Sequence, residues 1–127
     1  MVTLAEACRM ALSLPEATEE DHHGIPSFRV GNKIFATVPD DEHLRIMLDA
    51  HTTHAAVTED PVMFEQLWWG KKLSGVCVTL GRADRRRLAE LLEEAWRRIA
   101  PRRLLLPPDD GAPAVGGSAS NRRRKRR

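Results

Sequence analysis

The chain has 127 residues, of which 42% are hydrophobic and 30% charged, and this composition is typical of one ordinary globular domain. Its longest apolar runs fall far short of the roughly 20 residues that a membrane-spanning helix requires. The first residues lack the basic start and the apolar stretch of a secretion signal, so we expect a cytoplasmic protein. Cys8 and Cys77 lie far apart in apolar surroundings, which favours small core residues over a disulfide or a zinc site.

Positive charge is concentrated at the end of the chain. Residues 1–106 carry 14 Lys+Arg and 16 Asp+Glu, a net charge of 14 − 16 = −2, whereas residues 107–127 carry 6 and 2, a net charge of +4. The sequence therefore predicts a domain over residues 1–106 and a disordered Pro/Gly/Ser linker with a basic tail over residues 107–127. Because the domain is not basic overall, any nucleic-acid binding must depend on local patches or on the tail.

The first half of the chain predicts one helix and three strands. A capping box begins an amphipathic helix that extends from Thr3 to Leu14. No helix or strand is predicted in the acidic, polar stretch from Glu16 to Gly24. Two runs rich in β-forming residues surround the pair Gly31-Asn32 and predict a hairpin, and the alternating residues from His43 to Leu48 predict a third strand.

The second half of the chain adds a strand and a long helix. A short helix is predicted near Ala55 to Val57, and another helical turn or two near Met63 to Leu67. Gly75 to Leu80 predicts a fourth strand, and Asp84 caps an amphipathic helix that ends at Pro101. This order favours an α+β fold, in which N- and C-terminal amphipathic helices pack on one face of an antiparallel sheet of about four strands.

The end of the chain carries a run of six basic residues. If all six met phosphates, the binding constant would fall with salt with a log-log slope of roughly −5. The alternative is a solvated terminus that raises solubility. The residues of this run are Arg122, Arg123, Arg124, Lys125, Arg126 and Arg127.

Two basic sites within the domain could also contact phosphates. Arg29 and Lys33 flank the hairpin turn, although exposed strands often carry such residues to protect their edges. The segment Trp68 to Lys72 joins two tryptophans to the lysines Lys71 and Lys72, a combination that can stack a base and neutralise phosphate. Because Trp is more often buried than exposed, we expect one of Trp68 and Trp69 to anchor the core and the other to be partly exposed.

The last helix begins with a cluster of arginines, where positive charge opposes the helix dipole. A phosphate bound there by Arg82 and Arg85 would compensate this charge. The alternative is a network of surface ion pairs at i,i+4 spacing. The pairs predicted by this spacing are Arg86 with Glu90, Glu93 with Arg97, and Glu94 with Arg98.

Histidines suggest a metal site, but only weakly. His22 and His23 are adjacent, and His51 and His54 are three apart, whereas zinc requires three or four converging ligands. No motif for phosphate binding, metal binding or a catalytic nucleophile is present in the sequence. We therefore predict no metal, no cofactor and no catalytic residues.

Four segments together resemble the MmcQ/YjbR family, in order and over about residues 3–105. They are His23 to Val30, Gly31 to Ala36, Trp68 to Leu73 and Ala95 to Pro101. The resemblance implies a small bacterial α+β domain, described in that family as a DNA-binding protein with a double-wing arrangement. It implies no activity, cofactor or catalytic residue that could be transferred, and a shared fold does not by itself establish function.

These observations lead to three hypotheses. The first is a non-enzymatic DNA-binding protein that contacts phosphates through the tail and through Arg29, Lys33, Lys71, Lys72, Arg82 and Arg85. The second is a protein-interaction or small-ligand module that uses the loop containing Trp68 and Trp69. The third is a metal-dependent enzyme built on the four histidines. The sequence leaves the oligomeric state open.

Overall fold

The computed structural model describes residues 1–105, so the predicted tail at residues 107–127 lies outside the described residues. A short 3-10 turn at Leu80–Arg82 follows the last strand. The helices and strands, in chain order, are α1 (Leu4–Leu12), β1 (Thr18–His22), β2 (Ile25–Val30), β3 (Lys33–Asp40), β4 (His43–Met47), α2 (Ala50–Glu59), β5 (Phe64–Trp69), β6 (Lys72–Thr79), α3 (Arg85–Ile99) and α4 (Arg102–Leu105).

The strands form one antiparallel sheet in the order β1-β2-β3-β4-β6-β5, which confirms the predicted α+β class. The sheet has six strands instead of about four. Strand β1 arises from the acidic stretch that received no element, and it has no buried residue to produce an alternating pattern. Strand β5 lies where helical turns were predicted near Met63 to Leu67, so that prediction is wrong. Backbone pairing with β6 determines its conformation.

One face of the sheet forms the core beneath the helices. Phe28, Ala36, Ile46 and Val76 are partners across four adjacent strands, and each is fully buried. Helices α1 and α3 pack against each other, α3 also covers β3 and β4, and α2 packs on β5 and β6. Phe28 and Phe35, on the two strands that flank the Gly31-Asn32 turn, are both 0% exposed.

Side chains and tight turns fix the ends of the helices. The capping box between Thr3 and Glu6 begins α1 as predicted, but α1 ends at Leu12, two residues before the predicted end. The indole N–H of Trp96, on α3, donates to the carbonyl oxygen of Pro15 at 3.0 Å. This bond ties α3 to the segment that follows α1, and it satisfies a polar atom of a largely buried side chain.

The sheet contains two hairpins that matter for the site. Gly31 and Asn32 join β2 to β3, and both have positive φ, as the right-handed strand twist requires of a two-residue turn. Gly70 begins the two-residue turn between β5 and β6 and also has positive φ. The predicted Gly31-Asn32 hairpin is thereby confirmed, and a second hairpin ends in the Trp68 to Lys72 segment.

Candidate nucleic-acid interface

The two hairpins extend beyond the end of β4 and enclose a gap. Strand β4 ends at Met47, which pairs with Gly75, while β6 extends three residues further, to Lys72. On the other side of β4, strand β3 begins at Lys33, and its pairing with β4 starts only at Ala36. Because β4 lies between β3 and β6 in the sheet, the backbones of the two hairpins are about two strand spacings, or about 10 Å, apart where they flank β4.

We call this gap the two-hairpin cleft. It has a volume of about 810 Å³. The segment from Met47 to Ala50, where β4 leads into α2, forms its floor. Its walls and rim are formed by Arg29, Asn32, Lys33 and Ile34 of one hairpin, Trp69, Lys72, Leu73 and Ser74 of the other, and His22 and Arg98.

The cleft is positively charged although the domain is not. Of the described residues that line it, Arg29, Lys33, Lys72 and Arg98 are cations and Asp49 is the single carboxylate, giving a net charge of 4 − 1 = +3. Within residues 1–105, none of the four cations forms an ion pair with another residue. Four cations from three strands and one helix are therefore available to an anionic ligand.

Neighbouring groups orient two of the charged side chains. The Arg29 guanidinium donates to the Ser27 hydroxyl at 3.1 Å and to the Asp21 carbonyl oxygen at 3.4 Å, so it lies along the sheet. Asp49 is the N-cap of α2 and accepts from the Thr52 backbone N–H at 2.7 Å. That bond is the main reason that the pKa of Asp49 is held below its ordinary value, and the positive charge of Arg98 adds to the effect.

The tryptophan pair differs from the prediction. Neither Trp68 nor Trp69 anchors the core, because their exposed fractions are 50% and 53%, so the expectation that one is buried is wrong. Both lie at the turn end of the edge strand β5, whose other end, at Phe64, is buried. Trp69 lines the cleft, whereas the Trp68 indole N–H donates to the Gln66 side-chain oxygen at 3.2 Å and Trp68 does not line the cleft.

The other predicted phosphate-binding residues of the described part of the chain do not line the cleft. Lys71 is in the β5–β6 turn and does not line it. Arg82 and Arg85 follow the far end of β6, whose eight residues span about 26 Å. Arg85 forms an ion pair with Glu6.

The arginine cluster of α3 forms a surface network of ion pairs. Two of the predicted ion pairs are confirmed, with nitrogen-to-oxygen distances of 3.8 Å for Arg86 with Glu90 and 2.6 Å for Glu93 with Arg97. Arg87, which the spacing did not assign, pairs with Glu59 at 2.7 Å and also with Glu90. The predicted pair of Glu94 with Arg98 does not form within residues 1–105, and Arg98 lines the cleft instead.

Sequence reasoning missed Arg98 because its position depends on a contact between distant residues. Pro101, just after α3, lies against the β2–β3 turn. A Cβ added to Gly31 of that turn would be 3.1 Å from the Cγ atom of Pro101. This contact brings the end of α3 beside the hairpin. The i,i+4 spacing with Glu94 indicated a different partner, and no local pattern reveals the contact with the turn.

The described residues offer no second chemical centre. The rings of His22 and His23 lie 4.4 Å apart, and His51 and His54 belong to α2. Residues 1–105 contain no group of three or more His, Cys, Asp or Glu side chains that could hold a metal. Both cysteines are free and partly buried, and burial raises the pKa of each thiol. In the same range of the chain, no helix has the length and apolar character to cross a membrane.

Comparison with known proteins identifies the family. The YjbR family model matches residues 12–98. The chain belongs to the YjbR family. A similar structure is the crystal structure of the Deinococcus radiodurans protein DR2400, of domain family DUF419, with 21% sequence identity and a TM-score of 0.67. The alignment covers 84% of this YjbR chain and 91% of DR2400, and at this identity the likeness shows the fold. The search of curated proteins found no match to this YjbR chain.

Proposed function

We propose that this YjbR protein is a non-enzymatic, cytoplasmic DNA-binding protein that contacts the phosphate backbone through the two-hairpin cleft. The observation that carries the proposal is the convergence on one cleft of four cations that form no ion pair within residues 1–105, in a domain of net charge −2. Arg29, Lys33 and Lys72 come from the two hairpins and Arg98 from the end of α3. Four charges gathered from separate elements, with one opposing carboxylate, suit a polyanion better than a neutral partner.

The basic tail adds affinity for DNA without a preference for any base sequence. Four phosphate contacts in the cleft give a log-log salt slope of about −3 to −4, and six contacts from Arg122 to Arg127 add about −5. Arg82 and Lys71 stand outside the cleft, and the ion pair with Glu6 partly neutralises Arg85. We therefore expect the cleft and the tail to carry most of the salt dependence.

The test measures fluorescence anisotropy with labelled random-sequence DNA, offered as single strands and as duplex, over a series of salt concentrations. The full-length chain is compared with two double variants that lose the same charge. Lys33→Ala with Lys72→Ala removes two cleft cations, while Lys71→Ala with Arg82→Ala removes two cations outside it. A third variant replaces the six basic tail residues with serine.

The cleft variant is expected to weaken binding about tenfold or more at 0.1 M salt, and to reduce the magnitude of the salt slope by about 1.5. The control variant is expected to change the affinity less than threefold. Equal effects of the two double variants would remove the cleft from the interface. If the serine variant of the tail bound neither form of DNA, the tail alone would explain the binding and the proposal would fail.

A second candidate function rests on the shape of the cleft. Its volume lies within the range of about 300–1,000 Å³ that small-molecule sites occupy, and Ile34, Met47 and Leu73 provide apolar lining beside Trp69. This geometry suits a small anion with a planar apolar part, such as a nucleoside phosphate. A rise in the melting temperature with a mononucleotide, and no binding of DNA by the tail-serine variant, would favour this candidate over the first.

A further inference from the structure

The two adjacent tryptophans have different surroundings. Trp69 pairs with Lys72 across β5 and β6, and both residues line the two-hairpin cleft. Trp68, one residue earlier, is equally exposed but does not line it, and side chains alternate between the faces of a strand. The cleft therefore contains one half-exposed indole beside a lysine. Aromatic side chains beside cations in a groove are the elements with which proteins bind single strands without sequence preference.

We infer that the two-hairpin cleft binds single-stranded nucleic acid in preference to duplex, with one base stacked on Trp69 and the adjoining phosphates at Lys33 and Lys72. The inference rests on the proposed function, because it names the form of nucleic acid that the same site takes. Arg29 and Arg98 would contact phosphates on either side of the stacked base. The cleft chemistry provides stacking and charge, which predicts tolerance of any sequence.

A duplex does not present a free base to Trp69. A duplex could place one phosphate backbone along the cations. Its bases, however, remain stacked on each other, and freeing one of them costs a few kcal/mol. Only a single strand offers Trp69 a base without that cost.

The tryptophan pair provides its own matched control. Full-length chains in which the six basic tail residues are serine are titrated into a labelled 12-nucleotide dT strand and into a 12-base-pair duplex of mixed sequence. Trp69→Ala is expected to lose about tenfold or more in affinity for the strand, because one base stack is lost. Trp69→Phe should retain most of the affinity, and Trp68→Ala should stay within twofold of the parent. Circular dichroism melting of each variant shows whether the domain remains folded.

A second measurement does not depend on the fold tolerating alanine. In a Trp68→Phe chain the remaining tryptophans are Trp69 and the largely buried Trp96. A stacked base should quench part of this fluorescence, in proportion to the bound dT strand, and the duplex should leave it unchanged.

The outcomes separate the inference from the proposed function. Tighter binding of the strand, with loss at Trp69 and not at Trp68, supports both. Equal affinities for strand and duplex, with equal effects of the two alanine variants and no quenching, overturn the inference and leave the phosphate-binding cleft intact. Absence of binding to either form overturns the proposed function as well.

Discussion

Gly75 of β6 packs tightly against the end of β4, next to Ser74 and opposite Met47, which both line the two-hairpin cleft. It pairs with Met47, the last residue of β4, and its φ is +154°. A Cβ placed there would lie 2.0 Å from the carbonyl oxygen of Ile46 and 3.0 Å from the backbone nitrogen of Leu48. Both atoms belong to the backbone of the central sheet, so no side-chain rotation can relieve the overlap.

We expect Gly75→Ala to lower the free energy of unfolding by about 4 kcal/mol. Of this, about 1–3 kcal/mol is the cost of a φ that L-residues rarely adopt, and a similar amount comes from forcing the two strands apart. A loss of that size is a large part of the 5–15 kcal/mol that stabilises a typical domain. In a domain of this size it lowers the melting temperature by about 15 °C or more.

Two other glycines separate these contributions. Gly24 has φ +88° but no atom within 4 Å of an added Cβ, so Gly24→Ala should cost about 1 kcal/mol from backbone strain alone. Gly81 has neither a positive φ nor a close neighbour, and Gly81→Ala should stay within about 0.5 kcal/mol of the parent. Urea unfolding of the full chain, followed by circular dichroism, measures all three. If Gly75→Ala were no more harmful than Gly24→Ala, the close packing of β4 and β6 would be refuted.

Three further variants test the carboxylate of the cleft, the acid stability and the helix contact. Asp49→Asn retains the α2 cap but removes the carboxylate of the cleft. Fluorescence anisotropy should therefore show that the affinity for DNA rises about two- to threefold. No increase in affinity would argue against anion binding near α2. The Thr3 backbone N–H is the main group that holds the pKa of Glu6 below its ordinary value. The Glu6 carboxylate therefore stabilises the fold fully above about pH 4.5, and this stabilisation is lost as the pH falls through the pKa of Glu6 in the folded state. Glu6→Gln should therefore weaken the dependence of stability on pH in the acid range, as measured by acid unfolding followed by circular dichroism. A profile like that of the parent would contradict this. Trp96→Phe leaves the Pro15 carbonyl without its donor, and urea unfolding should show a loss of about 1–3 kcal/mol, whereas an unchanged midpoint would contradict the helix contact.

The elements that could be predicted from the sequence are those with a local signal. The capping box at Thr3, the Gly31-Asn32 turn and the apolar stripe of α3 each depend on residues close in sequence, and each is confirmed. Strand β1 has no such signal, because an edge strand whose side chains face solvent needs no apolar alternation. It forms because its backbone groups complete the hydrogen bonds of β2, and that requirement is invisible in its own residues.

Several residues of the candidate site were predictable from the sequence, but the cleft that they form was not. The basic residues Arg29, Lys33 and Lys72 stand out in the sequence, and so does Trp69. What the sequence could not indicate is that they meet, since this depends on β4 being inserted between the two hairpins. The inclusion of Arg98 likewise depends on the contact of the α3 end with a distant turn. Spatial order in the sheet therefore selects these residues from a larger set of surface cations.

The arrangement also separates stability from binding. The core row of Phe28, Ala36, Ile46 and Val76 is fully buried beneath the helices, whereas Lys33, Lys72 and Arg98 of the cleft are exposed and Arg29 is half-buried. Surface side chains without ion-pair partners contribute little to folding, so replacing Lys33 or Lys72 should alter the unfolding free energy by less than about 0.5 kcal/mol. Within residues 1–105 these cations form no ion pair, and they lie near a half-exposed indole, so the proposed anionic ligand would supply negative charge that the described part of the chain does not.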